Sequence, residues 1–291
     1  MERKYKIVPL PNDEPYRWWR LFDDTYVIHY GEALDLFLLL GSEKALLIDT
    51  AYGRGDLPNI VDMLKGDREL LVVNTHEHFD HTGGNRFFPK VYMSPLAFEN
   101  ADHAFGPLPQ EWLDNMPYPD YEKIPVDDGY VFHLGGRDVE VLATPAHCKS
   151  SLSFIDHGRR LLFPGDELDA GQANLNVFES VGAFLKNCKR LKEREAEYDF
   201  IMPNHNGCPV AKSYLDDFIT CAQHIVDGKP DLVDPDDVQD FCKGFFKGHL
   251  RAQVGDSCIN YLPEGFEIPR GPIAEIFKKE SAEADEEGRS V

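Results

Sequence analysis

Residues 75–85 read THEHFDHTGGN and place His76, His78, Asp80 and His81 within one short stretch. In an extended backbone alternate side chains project to the same side, so His76 and His78 can grip a single ion. Asp80 and His81 follow on the turn, within reach of a second ion beside the first. Neutral imidazole and carboxylate oxygen together suit zinc, with iron or manganese as further options. Such a loop needs a rigid support, and the apolar run 70–74 ends just before His76. Clefts in α/β folds lie beyond the C-terminal ends of strands in this way.

The rest of the chain repeats that arrangement. Apolar runs at 36–40 and 45–48 flank Gly41-Ser42-Glu43-Lys44 and read as a hairpin, followed by Asp49 and Thr50. Asp56 is a cap for a helix with Pro58 in its first turn and Gly66 at its end. Further strands are expected at 130–133, 139–143, 152–155, 161–163 and 200–202, and helices at about 176–194 and 212–225. Three of these strands end just before a metal-ligand residue type: 139–143 before His147, 161–163 before Asp166, and 200–202 before His205. One such residue reads as an ordinary loop residue, but three in order behind HxHxDH read as a site.

In these motifs the chain resembles the metallo-β-lactamase superfamily of binuclear metallohydrolases, over roughly residues 34–225. The shared features are LIDTA, HxHxDH, a lone His, an Asp in a GD pair and a final His, a ligand set like that of glyoxalase II. The resemblance implies an α/β fold, a four-layer αβ/βα sandwich. By position it implies His76, His78 and His147 on one divalent ion, Asp80, His81 and His205 on a second, and Asp166 between them. Asp49 would steady the ligand loop from behind. Two such ions roughly 3.5–4 Å apart lower the pKa of a shared water toward about 7. The expected activity is therefore hydrolysis of a small-molecule ester, thioester or lactone by a bridging hydroxide, with Asp80 orienting the water. The resemblance argues against antibiotic hydrolysis, because true β-lactamases of this fold lack the aspartate at the bridging position. A redox di-iron protein acting on oxygen or a sulfur compound is the alternative reading of the same ligands.

Composition narrows the partners. The formal net charge is −21, which opposes binding to nucleic-acid backbones and anionic membranes. No secretory signal is legible at the N-terminus, and six scattered cysteines without metal-knuckle spacing fit a reducing cytoplasm. A homodimer is compatible with the sequence. The expected organisation is a catalytic domain over 1–227, an extension packed on it over 228–278 with a strand at 258–262, and a flexible acidic tail over 279–291. Residues 94–126 carry Phe98, Phe105, Trp112, Tyr118 and Tyr121, which either wall a substrate pocket or pin a loop to the sheet. Cys148 and Cys208 beside the ligand motifs read as buried small hydrophobes, with redox sensitivity or a place behind the ligands as the alternative, and His103 and His133 as residues outside the site. Thr75 and Thr144 read equally well as hydrogen-bond partners behind the ligands and as β-branched packing at strand ends, and Arg251 is expected in a surface ion pair.

Overall fold

Strand β3 (Leu34–Leu40) is buried along its whole length because its alternate side chains feed two different cores. Leu36, Leu38 and Leu40 enter a core shared with Leu57 and Val61 of helix α1 (Leu57–Lys65). Phe37 and Leu39 enter a second core, facing Phe154 and Phe163. The period of two thus explains a nearly continuous apolar run: both faces are covered. Strand β4 (Lys44–Ile48) divides in the same way, Ala45 and Leu47 to one side, Leu46 and Ile48 to the other. The structure, a computed structural model, describes residues 16–31, 34–101, 117–118, 120–175, 181–234 and 249–263.

The first sheet has seven strands in chain order: β1 (Arg17–Phe22), β2 (Thr25–Tyr30), β3, β4, β5 (Glu69–Val73), β6 (Lys90–Met93) and β7 (Glu122–Pro125). Pairing is antiparallel through β4 and parallel from β4 to β7. The second sheet contains β8 (Val131–His133), β9 (Asp138–Ala143), β10 (Leu152–Asp156), β11 (Leu161–Phe163), β13 (Phe200–Ile201) and β14 (Val210–Ala211), in the order β14-β13-β11-β10-β9-β8. The two sheets face each other across the Phe37–Phe163 core. Outside the second sheet lie two helices, Val181–Glu193 and Tyr214–Val226, which share a third core with Leu142, Ile155 and Leu162. The layers are the helix–sheet–sheet–helix stack expected from the sequence.

Several elements differ from the sequence reading. Strands β1 and β2 have no counterpart in the sequence reading; in β1 the exposed Trp18 and Trp19 and the interspersed arginines hide the period-two signal. A third sheet joins β12 (Gln172–Leu175) to β17 (Ser257–Tyr261), β16 (Leu250–Val254) and β15 (Leu232–Val233) in that order. The segment after residue 227 therefore pairs directly with the strand that follows the Asp166 loop. Asp56 precedes α1 but makes no side-chain cap; its Oδ2 accepts from Asn59 Nδ2 at 2.9 Å. The expected helix at 176–194 is seen from Val181 to Glu193, and 176–180 lie outside the described residues. So do Phe105, Trp112, His103 and the tail 279–291.

A buried arginine ties the two sheets together. Arg137 Nη1 donates to the carbonyls of Asp24 and Leu40 in the first sheet, and its Nε donates to Asp156 Oδ2 in the second at 3.0 Å. Nearer the surface, Arg194 donates to both oxygens of Glu140 and to both of Glu197. Those hydrogen bonds hold both glutamates below their ordinary pKa. A carboxylate with a depressed folded pKa contributes stability above its unfolded value and loses it as pH falls through the folded value. Arg194→Ala is therefore expected to lower the unfolding free energy measured in urea at about pH 7 by the ~1 kcal/mol of a good surface pair. The gap to the parent should narrow as the pH falls below about 4.3, the ordinary glutamate value, and on through the depressed folded values. A gap of equal size throughout would contradict this.

Candidate metal centre

The site is assembled at the C-terminal ends of strands from both sheets. Asp49 follows β4, the loop from Thr75 to Asn85 follows β5, His147 follows β9, Asp166 follows β11 and His205 follows β13. Two close approaches of backbone require glycine. Gly165 has φ +62°, and a Cβ there would sit 2.8 Å from Thr75 Cβ. At Gly84 a Cβ would lie 2.3 Å from the Thr50 carbonyl oxygen, so the glycine lets the HxHxDH loop lie against the segment after β4. Gly84→Ala is expected to destabilise the fold by about 2–3 kcal/mol, as overpacking against rigid backbone does. Thermal melting of the metal-free protein checks this, and a melting temperature unchanged from the parent would refute it.

The sequence-predicted residues converge. His147 Nε2 lies 3.0 Å from His78 Nδ1, and His76 and His78 rings meet edge to face with centroids 4.6 Å apart. On the other side, His205 Nε2 lies 3.3 Å from Asp80 Oδ2 and 3.4 Å from His81 Nε2. Asp166 sits between the groups: its Oδ2 is 3.9 Å from His76 Nε2, 3.6 Å from His147 Nε2 and 3.6 Å from His205 Nε2. Its Oδ1 is 3.3 Å from His81 Nε2. Ligand atoms of His76, His78, His147 and Cys148 lie within 4.8 Å of one another, as do those of His76, His81 and Asp166, and of Asp80, His81 and His205.

Partners on the outer sides of the rings decide what faces inward. Asp49, itself fully buried, accepts from Thr75 N at 2.8 Å, Thr75 Oγ1 at 2.9 Å and Asn204 Nδ2 at 3.0 Å, and its Oδ2 lies 2.9 Å from His81 Nδ1. Thr75 Oγ1 spends its proton on Asp49, so at 2.9 Å it accepts from His76 Nδ1. His147 Nδ1 donates to the Asn174 carbonyl at 2.7 Å. In their neutral forms His76, His81 and His147 thus turn unprotonated Nε2 atoms toward the cluster. His76 Nε2 is buried with no hydrogen-bond partner. A buried acceptor left unmatched is costly in an apoprotein and natural in a cation site. These residues fit divalent ions.

The electrostatics split the site. Burial, then the neighbouring imidazoles, drives His76 well below its ordinary pKa and His78 down to about 3, which favours neutral rings. Burial opposes charge on His205 too, but Asp166 and Asp80 outweigh it and raise its pKa to about 10. Asp80 and Asp166 are held well below the carboxylate range: burial pushes each up, and His81 with His205 more than reverses it.

Several supporting residues carried no sequence signal. Glu167 Oε1 accepts the backbone N–H of Ala146 and of His147, both at 2.9 Å, and so clips the His147 loop to the Asp166 loop. Asn174 holds His147 through a main-chain carbonyl, which no side-chain pattern reveals. Asn204, one residue before His205, donates Nδ2 to the Asp35 carbonyl and to Asp49 Oδ2. Tyr52 meets Phe79 edge to face at 5.9 Å and lies tilted against Tyr30 at 5.4 Å, an aromatic row that ends one residue before Asp80. By contrast Phe98, Tyr118 and Tyr121 pack into the core of the first sheet, the pinning role of the two expected for that segment. Thr144 Oγ1 meets Ser153 Oγ rather than a ligand, His133 pairs with Asp138 at the surface, and Arg251 reaches Gln172 and Asn260 instead of an acid. Cys208 Sγ donates to Asp35 Oδ2, while Cys148 Sγ lies 3.3 Å from His78 Nε2, a polar contact rather than apolar packing.

Comparison with known proteins agrees with the geometry. The family described as the metallo-beta-lactamase superfamily matches residues 35–198. An acyl-coenzyme A thioesterase of Homo sapiens, MBLAC2, is 28% identical over 191 residues, covering 56% of this chain and 68% of that protein. An atrochrysone carboxyl ACP thioesterase of Aspergillus novofumigatus is 28% identical over 208 residues, covering 69% of this chain and 54% of that protein. Among solved structures, a metallo-beta-lactamase from Pontibacter korlensis superposes with a TM-score of 0.56 at 20% identity, over 72% of this chain and 99% of that one. At that identity the match speaks for the fold alone.

Proposed function

The chain belongs to the metallo-beta-lactamase superfamily, and on that premise we propose that it is a metal-dependent hydrolase of acyl thioesters. The observation that carries the reading is the convergence of His76, His78, Asp80, His81, His147, Asp166 and His205, with the unpartnered His76 Nε2 at its centre. His76, His78 and His147 would hold one divalent ion, Asp80, His81 and His205 a second, and Asp166 would touch both. Zinc suits this donor set best. Ions so held supply Lewis-acid polarisation of the thioester carbonyl and acidify a water. The protein's part is to fix that geometry and handle the proton. Asp80, with Oδ2 3.3 Å from His205 Nε2 and 3.5 Å from His81 Nε2, orients the attacking water and takes up its proton. The outer partners of His76, His81 and His147 fix the ring tautomers, so that the Nε2 lone pairs are left for binding. The thioester preference is drawn from the relatives, two of which are named as thioesterases of coenzyme A and carrier-protein substrates. A cytoplasmic location belongs to the same proposal, since coenzyme A thioesters are intracellular.

The test is thiol release from acyl-coenzyme A and from a neutral acyl thioester, beside acid release from esters, lactones and phosphodiesters, by zinc- and manganese-loaded protein. Elemental analysis should give two metal equivalents per chain, and chelation should abolish turnover until metal is restored. Turnover confined to another bond type overturns the thioester reading. A coloured iron centre that consumes oxygen and releases no thiol overturns the hydrolase.

A salt effect follows from the charge. With 51 acidic against 30 basic side chains, the protein repels the anionic coenzyme A moiety at long range. Raising salt from about 0.01 M to about 0.15 M shortens the screening length from about 30 to about 8 Å. The kcat/KM for acyl-coenzyme A should therefore rise with salt, while that for a neutral thioester stays flat. A fall for acyl-coenzyme A would instead point to a local basic groove for its phosphates.

A further inference from the structure

The outer ring nitrogens of the clustered histidines have oxygen partners wherever both sides of the ring are defined, with one exception. His76 Nδ1 meets Thr75 Oγ1, His81 Nδ1 meets Asp49 and His147 Nδ1 meets the Asn174 carbonyl. His78 is turned the other way. Its Nδ1 faces His147 Nε2 at 3.0 Å, so its Nε2 is the outer nitrogen, and that atom lies 3.3 Å from Cys148 Sγ. We propose that Cys148 is a positioning residue: its sulfur accepts the Nε2–H of His78 and so leaves the Nδ1 lone pair for the ion shared with His76 and His147. The inference rests on the metal-dependent reading above and deepens it.

The sulfur is placed by the backbone rather than by chance packing. Cys148 directly follows His147, its N–H donates to Ser151 Oγ at 3.0 Å, and its carbonyl accepts from Ser151 N at 3.3 Å. That tight turn fixes the direction of a side chain with no solvent exposure. One short segment therefore supplies a ligand, His147, and the partner that sets the ring of another, His78. A sulfur is a weaker acceptor than a carboxylate, yet in a dry site it can still select the tautomer. The rival role is direct ligation by a thiolate, since Sγ lies within 4.8 Å of the ligand atoms of all three histidines. The orientation of His78 favours positioning, because the sulfur meets Nε2 while Nδ1 faces His147 Nε2.

The experiment compares the full chain with Cys148→Ala, Cys148→Val and Cys148→Ser. Cobalt-loaded absorption spectra, zinc affinity by competition with a chromogenic chelator, and melting of the metal-free proteins are the readouts. The parent should take up cobalt without a sulfur-to-cobalt charge-transfer band. Both Cys148→Ala and Cys148→Val should bind zinc at one position ~10-fold or more weakly, the loss typical of a ligand's supporting partner. Cys148→Val nearly keeps the volume and removes the acceptor, so agreement of the two separates the hydrogen bond from a packing defect. Cys148→Ser, which restores an acceptor, should recover most of the affinity. Zinc affinity and cobalt spectra equal to the parent's in Cys148→Ala and Cys148→Val overturn the inference while leaving the metal-dependent reading intact. A charge-transfer band in the parent that disappears in all three variants overturns it in favour of direct ligation. A parent that takes up no cobalt overturns the metal-dependent reading, and this inference with it.

Discussion

Asp166→Ala is expected to release metal and to lower kcat/KM for thioester hydrolysis by more than ~100-fold, beyond the 10–100-fold typical of residues that only support a ligand. Its carboxylate approaches His76, His147 and His205 through Oδ2 and His81 through Oδ1, so both halves of the cluster lose a contact at once. The electrostatic loss compounds the geometric one. Three buried imidazoles and the partly exposed His205 surround this anion, and without it two like-charged ions would face each other less shielded. Asp166→Asn separates the contributions, because it keeps the shape and removes the charge. Elemental analysis and steady-state kinetics on matched, metal-supplemented samples are the measurements. Activity within about twofold of the parent would remove Asp166 from the site, since even a supporting residue costs more.

The parts legible in the sequence share a physical property: each leaves a local trace. The ligand residues stand out because imidazole and carboxylate recur at strand ends, as at His147, Asp166 and His205. Strands β3, β4, β10 and β11 stand out because burial on both faces demands apolar runs. What escaped was non-local. The strand β12 has the mixed sequence Gln-Ala-Asn-Leu, and it exists by parallel pairing with β17, far along the chain. Its carbonyl at Asn174 then orients His147, a role that any residue type could fill. The partnership of Cys148 with His78 joins residues distant in sequence, and the thiol alone reads more readily as core. Asp49 lay between these cases. Its position in LIDTA suggested support for the ligand loop, but its partners and its left-handed backbone, φ 65°, emerge only from the fold.

That backbone conformation is uncommon for a residue with a side chain and persists where surrounding contacts hold it. The contacts are Thr75 N, Thr75 Oγ1, Asn204 Nδ2 and His81 Nδ1, all gathered on one carboxylate with no solvent exposure. Asp49→Ala leaves these groups buried and unmatched. Each orphaned donor costs about 1–3 kcal/mol when nothing replaces its partner. The losses overlap, because Thr75 can turn toward His76, so the expected destabilisation is about 3–5 kcal/mol, the scale for breaking a buried charged contact. Asp49→Asn should recover part of this, since its amide oxygen still accepts, while its NH2 opposes one donor. Urea unfolding of the metal-free proteins measures the effect without contribution from bound ions. Metal affinity should fall alongside it, because His81 would lose the partner that fixes its tautomer. If both variants unfold at the parent's urea midpoint, Asp49 does not hold the loop, and the rigidity of the site must come from the strand ends alone.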